Sequence, residues 1–334
     1  MTGVGVADVA VLIPARNEAD SIGRCLEHVL AQDIGLDRLE VIVVDGDSTD
    51  GTGEIAAAIL ERAGLDRWVV HCNKGGSTPS NLNAGLALVR APVVCRVDAR
   101  SMVPPRYVRA CIETLQSRPD VAVVGGAQVA VPRSESNRDQ GIARALNNRY
   151  GMGLSRYRRG ARSGRADTVY LGAFRTAELR GVGGWDERLP TNQDFDLNRR
   201  IAHHGHVWFE SSLEVGYSPR SSVRQLWMQY HRFGRWKVRY WRMTGDRPQQ
   251  RQMGIIVAPV LMLIAAIAFL VPRSGRMCRM SVLTVGTLGA AVALEELGSQ
   301  EGTAGTVERG WAIAGMVAVG SGWLSGVLRD AVFE

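Results

Sequence analysis

Cysteine is scarce and scattered in this 334-residue chain: five residues, Cys25, Cys72, Cys95, Cys111 and Cys278, with no C-x-x-C pair among them. An odd count without that spacing argues against a disulfide framework and a structural zinc site, and fits a reducing compartment. The first residues, M-T-G-V-G-V-A-D, lack a basic stretch followed by an apolar core, so no secretory leader is expected. The glycine cluster G-V-G-G-W at 181–185 does not follow a strand in a βαβ unit, which argues against a dinucleotide-binding dehydrogenase. Nucleic-acid motifs are missing too, and the positive charge is too localised to suggest such a partner. Residues 221–251 carry eight Arg and Lys against the single Asp246, a net +7 that equals the formal charge of the whole chain. No repeat at a solenoid period is apparent, and 46% hydrophobic composition is ample for a folded core.

What is present begins with apolar, β-branched runs that stop abruptly at polar turns. V-L-I-P-A-R-N-E at 11–18, V-I-V-V-D-G-D-S-T-D-G-T at 41–52 and P-V-V-C-R-V-D-A-R at 92–100 each read as a buried parallel strand. Their carboxyl ends offer Glu18, Asp45 and Asp98 to one crevice, the edge at which open α/β sheets bind ligands. Strands are predicted at 9–14, 41–45, 68–72, 93–98 and 121–129, alternating with helices at 18–30, 52–64, 80–89 and 104–117, with Ser80 as an N-cap and Pro104 in a first turn. A further helix is expected at 137–150. The run at 156–165 holds five arginines and reads either as a loop closing over an anionic ligand or as a solvated loop with no binding role.

The order of these blocks resembles the family 2 glycosyltransferases, which open with P-x-x-N-E and continue to D-x-S-x-D-G-T. The resemblance extends through S-N-L-N-A-G-L at 80–86, the Asp98 strand, Y-L-G-A-F-R at 170–175 and G-G-W-D-E-R-L-P-T-N-Q-D-F-D-L-N-R-R at 183–200. The later blocks look most like bacterial enzymes of succinoglycan-type exopolysaccharide synthesis. The resemblance implies a GT-A nucleotide-sugar-binding fold, a mostly parallel α/β sheet flanked by helices. It implies that Pro14, Arg16 and Glu18 form the wall beside the nucleotide, that Asp45 reaches the base, and that Asp98 sits beside ribose and diphosphate. Asp45 in D-G-D-S-T-D-G-T is also placed to cap a helix or turn.

One departure stands out. Relatives carry D-x-D where this chain reads Asp98-Ala99-Arg100, and arginine cannot coordinate a metal. Two expectations remain open: Mg²⁺ or Mn²⁺ held by Asp98 with diphosphate oxygens and water, which is favoured, or Arg100 itself offsetting leaving-group charge. By resemblance Asp194 is the catalytic base of an inverting displacement, although it also suits the N-cap of a helix over 195–204. Trp185 and Asp186 resemble acceptor-side positions, with a core tryptophan as the alternative. Arg232, Arg235 and Trp236 loosely match a Q-x-x-R-W signature and are expected to meet donor diphosphate or a lipid phosphate. His203, His204 and His206 read as helix-end residues.

The remaining signals concern a membrane. Residues 221–242 combine Trp227, Tyr230, Phe233, Trp236 and Tyr240 at helical spacing with the basic cluster, an interfacial helix signature. Residues 254–271 form an uncharged run of 18, and 280–294 and 311–328 are further apolar segments of a membrane domain over 252–334. The positive-inside rule puts 221–251 in the cytoplasm, though Arg273, Arg276 and Arg279 would then fall outside after one crossing, so the number of spans is left open. The expected whole is a GT-A domain over 1–220 facing the cytoplasm at the inner membrane. Its partners are a nucleotide sugar, of UDP-hexose type, and a lipid-linked or membrane-retained saccharide acceptor. A polyprenyl-phosphate glycosyltransferase and a catalytically silent partner in a polysaccharide assembly complex are the alternatives.

Overall fold

The computed structural model describes residues 7–148, 162–248 and 305–333. The apolar segments expected at 254–271 and 280–294 and most of the arginine run at 156–165 lie outside them. The chain divides into two compact units: Met1–Val129 with Ser155–Ser218, and Ala130–Leu154 with Pro219–Glu334. The division differs from the expected boundary at 220, because residues 130–154 group with the C-terminal helices.

The first unit is built on a nine-stranded sheet. Strands β1 (Val9–Ala15) and β2 (Leu39–Asp45) are buried along their full length, as their unbroken apolar runs require of central parallel strands. β2 also pairs in parallel with β3 (Trp68–Cys72), and β1 with β4 (Val93–Arg96). The carboxyl ends of these four strands therefore share one edge. The pairing then reverses: β8 (Tyr170–Arg175) runs antiparallel between β4 and β6 (Val121–Ala130). β9 (His206–Tyr217) follows, pairing antiparallel with β5 (Ser101–Met102) and β7 (Gly164–Arg165). The sheet is thus mixed rather than mostly parallel. Its first four strands follow the expected βα pattern, and its second half is assembled by long-range returns of the chain.

Period-two alternation along β1 sends Val9, Val11 and Ile13 to one core and Ala10 and Leu12 to the other. The first core is closed by helices α1 (Ala19–Leu30), α2 (Thr52–Arg62) and α4 (Tyr107–Ser117) through Ile22, Leu26, Leu60 and Tyr107. The second is closed by α3 (Thr78–Leu88), α6 (Thr176–Gly181) and α7 (Gln193–Ile201) through Leu82, Leu86, Leu179 and Leu197. Gly85 lets α3 lie directly on the sheet: a β-carbon there would stand 2.9 Å from Val44 Cγ2 and collide with Leu12 Cδ1. Helix starts differ slightly from expectation. Ser77, not Ser80, caps α3, accepting from Ser80 N at 3.4 Å, and α4 begins at Tyr107, after the Pro104 turn.

In the second unit, α8 (Val223–Thr244) is capped by Ser222 and ends at Gly245 in the left-handed region, close to the expected 221–242. It packs against α9 (Thr306–Phe333), which also meets α5 (Asn137–Asn147). Residues Thr306–Ala331 of α9 have mean hydropathy 1.5 and are long and apolar enough to cross a membrane, by length and composition only. The α8–α9 seam is close: a β-carbon on Gly322 would lie 2.6 Å from Trp227 O. Its polar end is Asp330, fully buried and paired with Arg235 Nε at 2.6 Å and Arg239 Nε at 2.7 Å.

Candidate active site

The turn after β1 is laced to the turn after β2. Asn17, at φ 53°, donates its amide to Ser48 Oγ at 2.8 Å and accepts from Thr49 N at 3.0 Å. Glu18 N reaches Thr52 Oγ1 at 2.9 Å, and Ala19 N reaches Asp50 Oδ2 at 3.0 Å. These bonds explain most of the polar residues in D-G-D-S-T-D-G-T. Asp50 serves the N-terminal turns of α1 and α2, and its hydrogen bond from Thr52 holds its carboxyl below the usual value. Asp45, nearly buried at the end of β2, accepts Ser48 N at 3.2 Å and the Ser48 hydroxyl through Oδ1. Pro14 is buried in β1 and Arg16 is exposed just beyond it.

At the neighbouring strand end two arginines organise the acids. Arg100 Nε binds both oxygens of Glu18, at 2.9 and 2.7 Å, so the residue that replaces the second carboxylate pairs with the Glu of P-x-x-N-E. Arg96, 4% exposed, donates from Nε to Asp98 Oδ1 at 2.8 Å and from Nη1 to Asp194 Oδ1. Burial opposes the Arg96 charge, but the Asp194 and Asp98 carboxylates outweigh it and raise the guanidinium above its ordinary value. Crowding by protein atoms lifts the Asp194 carboxyl above its ordinary value; Arg96 pulls it down, and the Asp98 charge pushes it up. Its side chain keeps 41% exposure, so partial desolvation, not enclosure, is the cause.

Asp194 is the second residue of α7, and Asn192, at φ 71°, occupies the N-cap position. The helix starts earlier than expected at 195, and Asp194 points away from the capping role it was also suited to. Below it, Trp185 is 2% exposed and meets Phe174 edge-on at 6.1 Å, so the tryptophan belongs to the core and offers no face to a sugar ring. Its buried indole N–H makes no hydrogen bond of ordinary geometry, yet lies near enough to Asp194 to help lower that carboxyl. Asn83 of α3 fixes this loop, accepting from Trp185 N at 2.9 Å and donating to Trp185 O at 2.8 Å. Asp186 is held below the usual carboxylate value by its hydrogen bonds from Arg188, the nearest at 2.6 Å.

The first unit thus brings Asp98 and Asp194 together on Arg96, and pairs Glu18 with Arg100. Sequence reasoning missed Arg96 and Asn83. A charge inside the apolar strand V-V-C-R-V was the available signal for the first, because a buried cation demands partners. Arg232, Arg235 and Trp236 lie on α8 in the second unit: Arg232 is exposed, Arg235 is committed to Asp330, and Trp236 lies under Arg239 at 5.1 Å from ring centroid to guanidinium.

No group of three or more His, Cys, Asp or Glu stands ready for a metal among the described residues. Asp98 gives Oδ1 to Arg96, while its side chain stays 35% exposed and Oδ2 takes no hydrogen bond among them. One open carboxylate oxygen fits a divalent ion that draws its other ligands from diphosphate and water.

The glycosyl transferase family 2 model matches residues 10–174, which contain every donor-side residue named above and stop short of Asp194. Succinoglycan biosynthesis protein ExoA of Rhizobium meliloti is 28% identical over 253 residues, 75% of each chain. The dolichyl N-acetyl-alpha-D-glucosaminyl phosphate 3-beta-D-2,3-diacetamido-2,3-dideoxy-beta-D-glucuronosyltransferase of Methanococcus voltae is 23% identical over 232 residues, 68% of this chain and 71% of that one. Among solved structures, the mannosyltransferase PcManGT of Pyrobaculum calidifontis, in complex with GDP-Man and Mn²⁺, superposes with a TM-score of 0.55 at 18% identity, over 98% of this chain and 88% of that one. That likeness shows the GT-A fold. Residues 10–174 thus form a glycosyl transferase family 2 domain, and the protein is a glycosyltransferase.

Proposed function

We propose that this glycosyltransferase moves a hexose from a nucleotide diphosphate sugar, of the UDP type, to a lipid-linked or membrane-retained glycan with inversion at the anomeric carbon. The observation that carries the reading is the Arg96 bridge, which joins a donor-side carboxylate, Asp98, to a candidate base, Asp194, in one crevice. The acceptor hydroxyl attacks the anomeric carbon and its proton passes to Asp194. The bond from that carbon to the diphosphate oxygen breaks, and the diphosphate departs with the electron pair. Asp45, Pro14, Arg16 and Glu18 line the nucleotide side, and Asp186 lies on the acceptor side. Asp98 would hold Mg²⁺ or Mn²⁺, which supplies charge compensation for the diphosphate. Arg100, tied to Glu18, adds positive charge to the same wall.

The acceptor class follows the succinoglycan and dolichyl-phosphate relatives and the apolar, basic character of the second unit. Arg232 then meets phosphate at a cytoplasmic membrane surface, with Trp236 at headgroup level, while Arg235 stays with Asp330. Thermal shift of the detergent-purified protein tests the donor: one nucleotide sugar among the UDP, GDP and dTDP series should raise the midpoint when Mn²⁺ is present. No shift with any of them would overturn the reading. Asp194→Asn should lower kcat by about 10² to 10⁴-fold while leaving the fold intact.

A further inference from the structure

We infer that Arg96 is the positioning residue that couples the two halves of the site, holding the donor-side carboxylate Asp98 and the acceptor-side carboxylate Asp194 with one buried guanidinium. The inference rests on the reading of Asp194 as base.

Arg96 ends β4, in register with Leu12 of β1, and its backbone is therefore fixed by the central sheet. Its side chain is 4% exposed, so its own contacts with ligand are minor and its influence passes through the groups it holds. Those groups come from separate elements. Asp98 follows β4, Asp194 stands in the first turn of α7, and Tyr170 of β8 is the further titratable neighbour. The two carboxylates take different nitrogens of the fork, Nε and Nη1. A lysine ammonium at this site is a single point charge without a planar fork, and cannot orient two acids along fixed, diverging directions. Asp98 cannot shift without moving the guanidinium on which Asp194 depends. Arrival of the donor at Asp98 is thereby reported to the base before the acceptor reacts.

Two variants and two readouts test this. Arg96→Lys should keep the fold and give a nucleotide-sugar KM near wild type, with kcat reduced by about 10²-fold, the scale of a 1 Å misplacement. Arg96→Gln should lose kcat at least as severely. A purely structural cation would be rescued by lysine, so wild-type kcat in Arg96→Lys would overturn the proposal. Should both variants fail to fold, Asp194→Asn decides through binding alone. With Asp194 neutral, Arg96 is left to Asp98, and the Mn²⁺ concentration that half-saturates the UDP-hexose thermal shift should rise. An unchanged Mn²⁺ requirement in Asp194→Asn overturns the coupling. Failure of the base reading looks different: Asp194→Asn would then turn over at close to the wild-type rate, whatever the Arg96 variants do.

Discussion

At the scale of single residues, the site is an arrangement of five charges in which each arginine is assigned to named acids. Arg100 belongs to Glu18 and Arg96 to Asp98 and Asp194. Arg100→Asp restores a second carboxylate two residues after Asp98 and removes a nearby positive charge. It should lower the Mn²⁺ concentration needed for the donor-dependent thermal shift. An unchanged or higher requirement would mean that the Arg100 wall, and not a metal, carries the diphosphate charge. The raised Asp194 carboxyl gives a pH prediction with a definite sign. A base must be deprotonated, so kcat/KM should fall as pH drops through a pKa above the ordinary aspartate value. The Asp98 charge contributes to that rise, so Asp98→Asn, assayed with saturating metal, should move the acid limb to lower pH. A limb that stays in place would show that Asp98 and Asp194 do not sense each other.

At the scale of elements, the parallel half of the sheet is held together by close packing that a single methyl group disturbs. Gly85→Ala pushes α3 away from Leu12 and Val44 and should cost about 1–3 kcal/mol, read as a lower unfolding midpoint. Because α3 also carries Asn83, which ties down the Trp185 loop, the same variant should lower kcat although Gly85 touches no ligand. This half of the molecule was legible in the sequence. β1 and β2 appear where apolar runs stop at polar turns, within two residues of expectation, because local pattern decides strands buried on both faces, and the half-exposed β3 falls at its expected 68–72 as well. The antiparallel half was not, since the pairing of Tyr170–Arg175 with β4 and β6 joins residues some fifty to eighty apart in sequence, and no local period records it. Glu18 and Asp98 were visible for the same reason as the strands they follow, whereas Asp194, on α7, was singled out only by the family resemblance. Arg96 was not legible, because it lies within an apolar run; Arg100 was singled out, but its pairing with Glu18 across the crevice leaves no local trace in the sequence. Trp185 went to the core for a reason the sequence also leaves ambiguous: G-G-W-D suits an exposed turn or a loop anchored from beneath.

At the scale of the whole molecule, the question is how the second unit meets lipid. Among the described residues α9 has the length and composition of a membrane span, yet it runs beside α8 from Gly322 against Trp227 to Asp330 between Arg235 and Arg239. Over that stretch the two helices must lie at the same depth. Carrying α8 into hydrocarbon would bring Arg232, Arg235, Lys237 and Arg239 with it, at a cost of about 2.5–3.5 kcal/mol for each charge near the centre. The α8–α9 pair is therefore expected to rest in the plane of the interface, with exposed Met228 and Val317 toward acyl chains and Arg232 among phosphates. Any crossing would then fall to the apolar residues 254–271. Single cysteines at Val307 and Leu328, in a cysteine-free background, measure this directly. Both should react with an impermeant maleimide from the cytoplasmic side of inverted vesicles, because both ends of an in-plane helix stay on one side. Labelling of the two positions from opposite sides would mean that α9 crosses the bilayer and must part from α8 to do so, and the Asp330 ion pairs would then break on insertion.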